Sequence, residues 1–224
     1  CRTLGPDLDD LSEDWRAMLW PTPGEENPDP DDFDFDTEVL FTRLMPDETS
    51  YTNRNNEFFE LSNLGESAVD LTNFVIQRTK LGGDTFEARF TSLVLNQGDS
   101  IVISPDAESL RQDSGVDATS ANSVMNSSVF LTNSGAALQL IAPDGSVRDT
   151  IVYGNADPVI EGWNGAAMSE PNGSSYGLIY VRGDGCSNIP DSNTSADWTI
   201  RWSRIGASNI CSTPTFSSTG SVTP

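Results

Sequence analysis

Thirty-four carboxylates, three cysteines and no histidine set the chemistry open to this 224-residue chain. Without an imidazole there is no Ser-His-Asp or Cys-His nucleophile arrangement, no His-ligated haem and none of the usual zinc centres. Carboxylates alone can cleave glycosides, but only as a facing pair. Glu57 and Glu60 lie three positions apart in an extended segment, so they point to opposite faces and cannot act together. No catalytic residue, metal ligand or cofactor is assigned on these grounds, and a carboxylate-dependent hydrolase is a remote alternative. Arg182-Gly183-Asp184 spells an integrin-binding tripeptide, yet it follows a strand and opens a turn, and its expected role is that turn. Asn126-Ser127-Ser128, Asn172-Gly173-Ser174 and Asn193-Thr194-Ser195 are glycosylation sequons, which matter only in a source that glycosylates.

The cysteines are Cys1, Cys186 and Cys211, an odd number that leaves one thiol to be explained in an extracytoplasmic protein. Cys186 and Cys211 share polar, Gly/Ser/Asn-rich surroundings and are expected to bridge, a link that would stabilise the fold by roughly 3–4 kcal/mol. Two separate buried thiols are the alternative. Cys1 is then left over. A chain opening on Cys resembles a mature bacterial lipoprotein, and the resemblance implies a lipidated Cys1 and an extracytoplasmic, membrane-anchored location, in the periplasm or at the cell surface. Each buried acyl methylene adds about 0.8 kcal/mol, so several chains would anchor firmly. An arbitrary fragment boundary is the competing explanation.

The formal charge of −22, with Lys80 the single lysine, argues against nucleic acid, whose phosphates would be repelled. It also resists bare anionic lipid surfaces. Self-repulsion that keeps a secreted protein soluble explains it better than adaptation to high salt, because the acids concentrate in one tail.

That tail, residues 1–36, is an acidic leader. Leu8, Leu11, Trp15 and Met18 recur at helical spacing between acids, predicting a short amphipathic helix that ends at Trp20-Pro21. So short a helix needs a surface to pack on, either this chain's own sandwich or a partner or lipid interface. Leu11, Trp15 and Trp20 are the leader side chains expected to meet a partner. Residues 21–36 read as an extended, self-repelling linker; the spacing of an EF-hand loop is missing, which favours solvated charge over calcium. Residues 206–224 form a Ser/Thr-rich tail, expected as a flexible or glycosylated stalk.

Between the tails, residues 37–205 alternate short apolar runs with turn signals, the pattern of an all-β sandwich. Strands are expected at 39–44, 57–63, 70–78, 86–90, 100–104, 129–131, 137–142, 147–153, 176–181 and 198–202. Phe59 and Leu61 alternate with polar neighbours, as one buried face requires. Gly82-Gly83, Gly98 and Pro143-Asp144-Gly145-Ser146 mark tight turns. Trp198 and Trp202 share strand parity and are expected to close the core or its edge. Trp163, in the Gly-rich run 161–165, is expected as an exposed partner anchor, with packing on its own fold and sugar stacking as alternatives.

Several segments, taken in order, resemble the lamin-tail domain, an immunoglobulin-like antiparallel β-sandwich. They are Glu57–Gly65 with Val69–Ile76, Leu95–Ile103, Leu131–Leu140, Asp144–Gly154 and Asp197-Trp198. The inserts 106–128 and 155–175 and the acidic leader depart from its pattern, the inserts being expected to enlarge one end of the sandwich. The resemblance implies a binding or scaffolding surface without chemistry. The expected function is an anchored structural or accessory subunit docking onto protein subunits of a membrane-associated complex, energy-converting or at the cell surface. A surface adhesion module for glycan or peptide is the alternative.

Overall fold

In the computed structural model the described residues are 39–46, 56–129, 131–169, 178–183 and 189–202. All of them fall in the unit Glu38–Pro224. Cys1, Leu11, Trp15, Trp20, Cys186, Cys211, Asn172, Asp184 and the tail 206–224 lie outside them, as do the leader helix, the acidic linker and the bridge between Cys186 and Cys211.

The strands follow in chain order as β1 (Val39–Met45), β2 (Phe58–Asn63), β3 (Val69–Asp70), β4 (Val75–Thr79), β5 (Thr85–Arg89), β6 (Val94–Leu95) and β7 (Ser100–Ser104). After helix α1 (Ala107–Ser114) come β8 (Thr119–Ser120), helix α2 (Ala121–Val124), β9 (Gly135–Ile141), β10 (Val147–Gly154), β11 (Leu178–Arg182) and β12 (Trp198–Trp202). One sheet has the order β12-β11-β1-β2-β7-β8, a second the order β10-β9-β4-β5, and β3 pairs with β6. Every pairing is antiparallel except β7 with β8. The main core joins the inner faces of the two large sheets through Phe41, Leu44, Phe59, Leu61 and Ile103 on one side and Ile76, Leu138, Leu140 and Ile151 on the other. This is the immunoglobulin-like sandwich that the sequence predicts.

The β9–β10 hairpin shows how local chemistry fixes register. Asp144 Oδ1 accepts from Ser146 N and Oγ, and Gly145 at φ 89° turns the chain. The ladder then runs from Val147 opposite Ile141 to Gly154 opposite Gly135. At that far end the backbones approach so closely that a Cβ on Gly154 would strike Ser134 O and Gly135 Cα. Only glycine fits there.

Three expectations change. The strand expected at 70–78 is two strands, because Asp70 Oδ1 captures Thr72 N and Asn73 adopts φ 71°, breaking the extension. Residues 129 and 131 are buried yet lie in no strand. The insert 106–128 holds two helices: Asp106 caps α1 by accepting from Ser109 N at 3.0 Å, and Gly115 at φ 71° ends it.

Neither insert merely extends an end. Helix α1 sets Leu110 against Met45, Phe58, Ile179 and Val181 on the outer face of the six-stranded sheet, a second small core. As a result β2 is buried on both faces, not on one. The segment after β10 lies over the outer face of the other sheet, where Gln139 Nε2 and Thr150 Oγ1 both donate to Glu161 O at 2.9 Å.

Candidate functional site

The largest fully buried side chain is an arginine, Arg182, at the end of β11. It lies between the sheets and donates from one terminal nitrogen to Asp149 Oδ1 at 2.8 Å. The other reaches Asp191 at 3.5 Å, and the guanidinium stacks 4.9 Å from the ring of Trp198. Asp149, on the inner face of β10, also accepts from Phe41 N at 2.6 Å and from Thr150 N at 2.8 Å. The Phe41 bond has a topological cause. β11 pairs with β1 only at Arg43 and Leu44, so the N–H of Phe41, beside the bulge at Thr42, takes a carboxylate instead of a strand.

Burial pushes the Asp149 carboxyl up to about 6, against the pull of Arg182. Asp191 is raised as well, chiefly by desolvation, with Arg182 opposing and Asp197 adding repulsion. Asp197 is buried and held by Ser192 N at 2.8 Å and Ser192 Oγ at 2.6 Å, and it closes a capping box with Thr194. The oxygens of Asp149 and Asp197 are thus committed to donors within the fold. This cluster is a latch that ties β11 and β12 to the rest of the sandwich.

A second polar group sits on β1 and β2. Glu60 Oε1 accepts from Thr42 Oγ1 at 2.6 Å and from Arg43 Nε at 2.9 Å, and Thr42 leads through Ser62 to Ser100. Glu57 and Glu60 are both buried, and Glu60 belongs to this network. Among the described residues no group of three or more Cys, Asp or Glu is arranged to hold a metal ion, and no helix is long and apolar enough to cross a membrane.

The third feature is the segment that covers β9 and β10. Gly154 N donates to Met168 O, and Met168 N to Val152 O, both at 2.8 Å. Asp157 Oδ1 accepts from Val159 N at 2.9 Å, and Asn164 N donates to Asn193 O at 2.7 Å. Trp163 is not the exposed anchor expected: it is 6% exposed and belongs to the main core, with its Nε1 on Ala166 O at 3.3 Å. Its burial follows from the cover that the loop gives the sheet. Within this segment the exposed large apolar side chain is Val159, at 89%.

The family model of the Lamin Tail Domain matches residues 36–155 of this chain. The chain belongs to the lamin tail domain family. No curated protein matches it. Domains of this family are immunoglobulin-like, often take part in protein–protein interaction and are typically non-catalytic. The lamin tail match ends one residue after β10. Asp149 therefore lies inside it, while Arg182, Trp198, Trp163 and Val159 lie beyond.

Arg182 is buried in its ion pairs and cannot be presented to an integrin, and Gly183 follows it at φ 57°; the expected turn runs on into Asp184, outside the described residues. Asn126 clips the edge of β5, its Oδ1 accepting from Arg89 N and its N donating to Arg89 O. Asn193 takes φ 56° and its carbonyl holds the loop at Asn164. Trp198 is buried over Arg182. Sequence reasoning missed the Asp149–Arg182 pair, for which spacing offers no signal, and missed Val159. Asp157-Pro158 just before Val159 was the available cue, an Asx turn presenting the residue two positions on.

Proposed function

We propose that this lamin tail domain protein is a non-catalytic docking module that serves as a structural subunit of a larger membrane-associated, extracytoplasmic assembly. One observation carries the reading: the buried ionisable side chains Glu60, Asp149 and Asp197 hold the fold together, and among the described residues the two most exposed large apolar side chains, Val159 and Leu81, sit on a loop and a turn. A rigid sandwich that displays loops is built for contact with another protein. The charge of −22 adds to this, since it repels nucleic acid and leaves cationic protein surfaces as the favoured partners.

The test is affinity isolation of the full native chain from membranes under mild detergent, with quantitative mass spectrometry. A fixed set of proteins in constant ratio is the expected result. Recovery of the chain alone, with binding on a glycan array, would replace docking by carbohydrate adhesion. Intact mass of the same material tests the acyl groups expected on Cys1; an unmodified residue removes the lipid anchor while leaving the docking role standing.

A further inference from the structure

We infer that the loop 157–165 is the docking surface itself, and that it takes a cationic polypeptide segment carrying an apolar side chain. The inference rests on the docking role proposed above and assigns it a site and a partner chemistry.

Val159 is 89% exposed, whereas the next most exposed large apolar residue, Leu81, is at 60%. A free aliphatic side chain on a mobile tip would mean little. Here it is held out on a fixed mount. Asp157 grips Val159 N, Pro158 O receives Ile160 N, and Glu161 O is held by two side chains of the sheet below. Under the loop, Gly162 takes φ 77°, and a Cβ there would strike Thr150 Oγ1. Trp163 fixes the far side by entering the core. The entropy of ordering this contact surface is thus already spent in folding, the condition under which an exposed apolar group binds well.

Beside Val159 lies a shallow dent of about 400 Å³ lined by Pro158, Ile160, Glu161, Trp163, Asn164 and Gly165. Its lining is mixed, apolar from Pro158, Ile160 and Trp163 and polar from Asn164 and the exposed Glu161. Asp157 and Glu161, both exposed, lie two residues before and two after Val159 in the chain, and the loop carries no basic residue. An exposed apolar knob beside a partly apolar dent, flanked in the chain by two carboxylates, complements a segment in which an aliphatic or aromatic side chain is flanked by Lys or Arg.

The probe is a synthetic peptide of alternating Lys and Leu ending in Phe, titrated into the full-length isotope-labelled protein and followed by amide chemical shifts. Two control peptides keep the length, one with Gln for Lys and one with Ser for Leu and Phe. The largest shifts should map to 157–165, and both controls should bind more weakly. Val159→Ser, at a site too exposed to affect folding, should weaken binding about tenfold. Glu161→Gln should weaken it and reduce its salt dependence. Equal binding of the Ser control, or unchanged affinity of Val159→Ser, would show unspecific attraction to an acidic protein and overturn the assignment. Shifts centred on another surface, such as Leu81, would overturn it while leaving the docking function intact. Failure of the native isolation would instead remove that function.

Discussion

Asp149 and Arg182 show what a single pair contributes and when. Arg182 and Asp149 are each fully buried, and three donors converge on Asp149, so removing one partner strands a charge where water cannot reach it. Arg182→Met should cost about 3–5 kcal/mol at pH 7 by urea denaturation. The sign of the pH dependence follows from the carboxyl's position. Its folded value, about 6, lies above the ordinary 3.8, so its stabilising contribution is complete below about pH 4 and is lost as pH rises through 6. The range corresponds to about 3 kcal/mol. Loss of Arg182 moves the carboxyl higher still, so the variant's deficit should narrow as the pH is lowered from 7 through 6 and then hold steady toward 4; no narrowing between 7 and 6 would mean that Asp149 does not titrate there. A second residue-scale prediction concerns Gly154, at φ 64° against the backbone of Ser134. Gly154→Ala should lower stability by more than the about 1–2 kcal/mol that the left-handed backbone alone costs. Arg182 illustrates why residues were hard to read: in the sequence it opens a turn, and nothing within it announces a carboxylate 33 positions earlier.

Elements were legible where the code is local. The β9–β10 hairpin could be read from alternating apolar residues around Pro143-Asp144-Gly145, and β7 and β12 fall where the sequence puts them. Helix α1 was missed although its signals are present: Asp106 as cap, Leu110 facing in, Gly115 as stop. The reason lies in a premise. Alternation in β2 predicts one solvated face, but Phe58 is buried like Phe59, because α1 supplies the second layer. Whether an outer face is clad depends on a segment far along the chain, which period-two counting cannot sense. If α1 is that cover, Leu110→Ala should cost about 2–5 kcal/mol, and Asp106→Ala about 1 kcal/mol through the lost cap. Thermal unfolding of the two variants measures both, and a Leu110→Ala protein as stable as the parent would mean that the outer layer does not support the sheet.

At the scale of the whole molecule, the family match and the folded body have different extents. The lamin tail match covers 36–155, yet β11 pairs with β1 at Arg43 and Leu44, and β12 pairs with β11 along its length. Without them β1 becomes an unprotected edge strand, the core loses Tyr180 and Trp198, and Asp149 loses its ion-pair partner Arg182. These losses fall on one connected set of contacts, and together they are of the order of the roughly 5–15 kcal/mol that holds an ordinary domain folded. A chain cut after Asn155 should therefore lack a cooperative unfolding transition, whereas the full chain should show one. Adding Asp149→Leu to the truncated chain removes the stranded charge but restores neither the edge partner nor the core cover. It should remain unfolded by near-ultraviolet circular dichroism. If instead that variant regains a native transition, the ion pair alone was what the second half supplied, and the sandwich closes without β11 and β12.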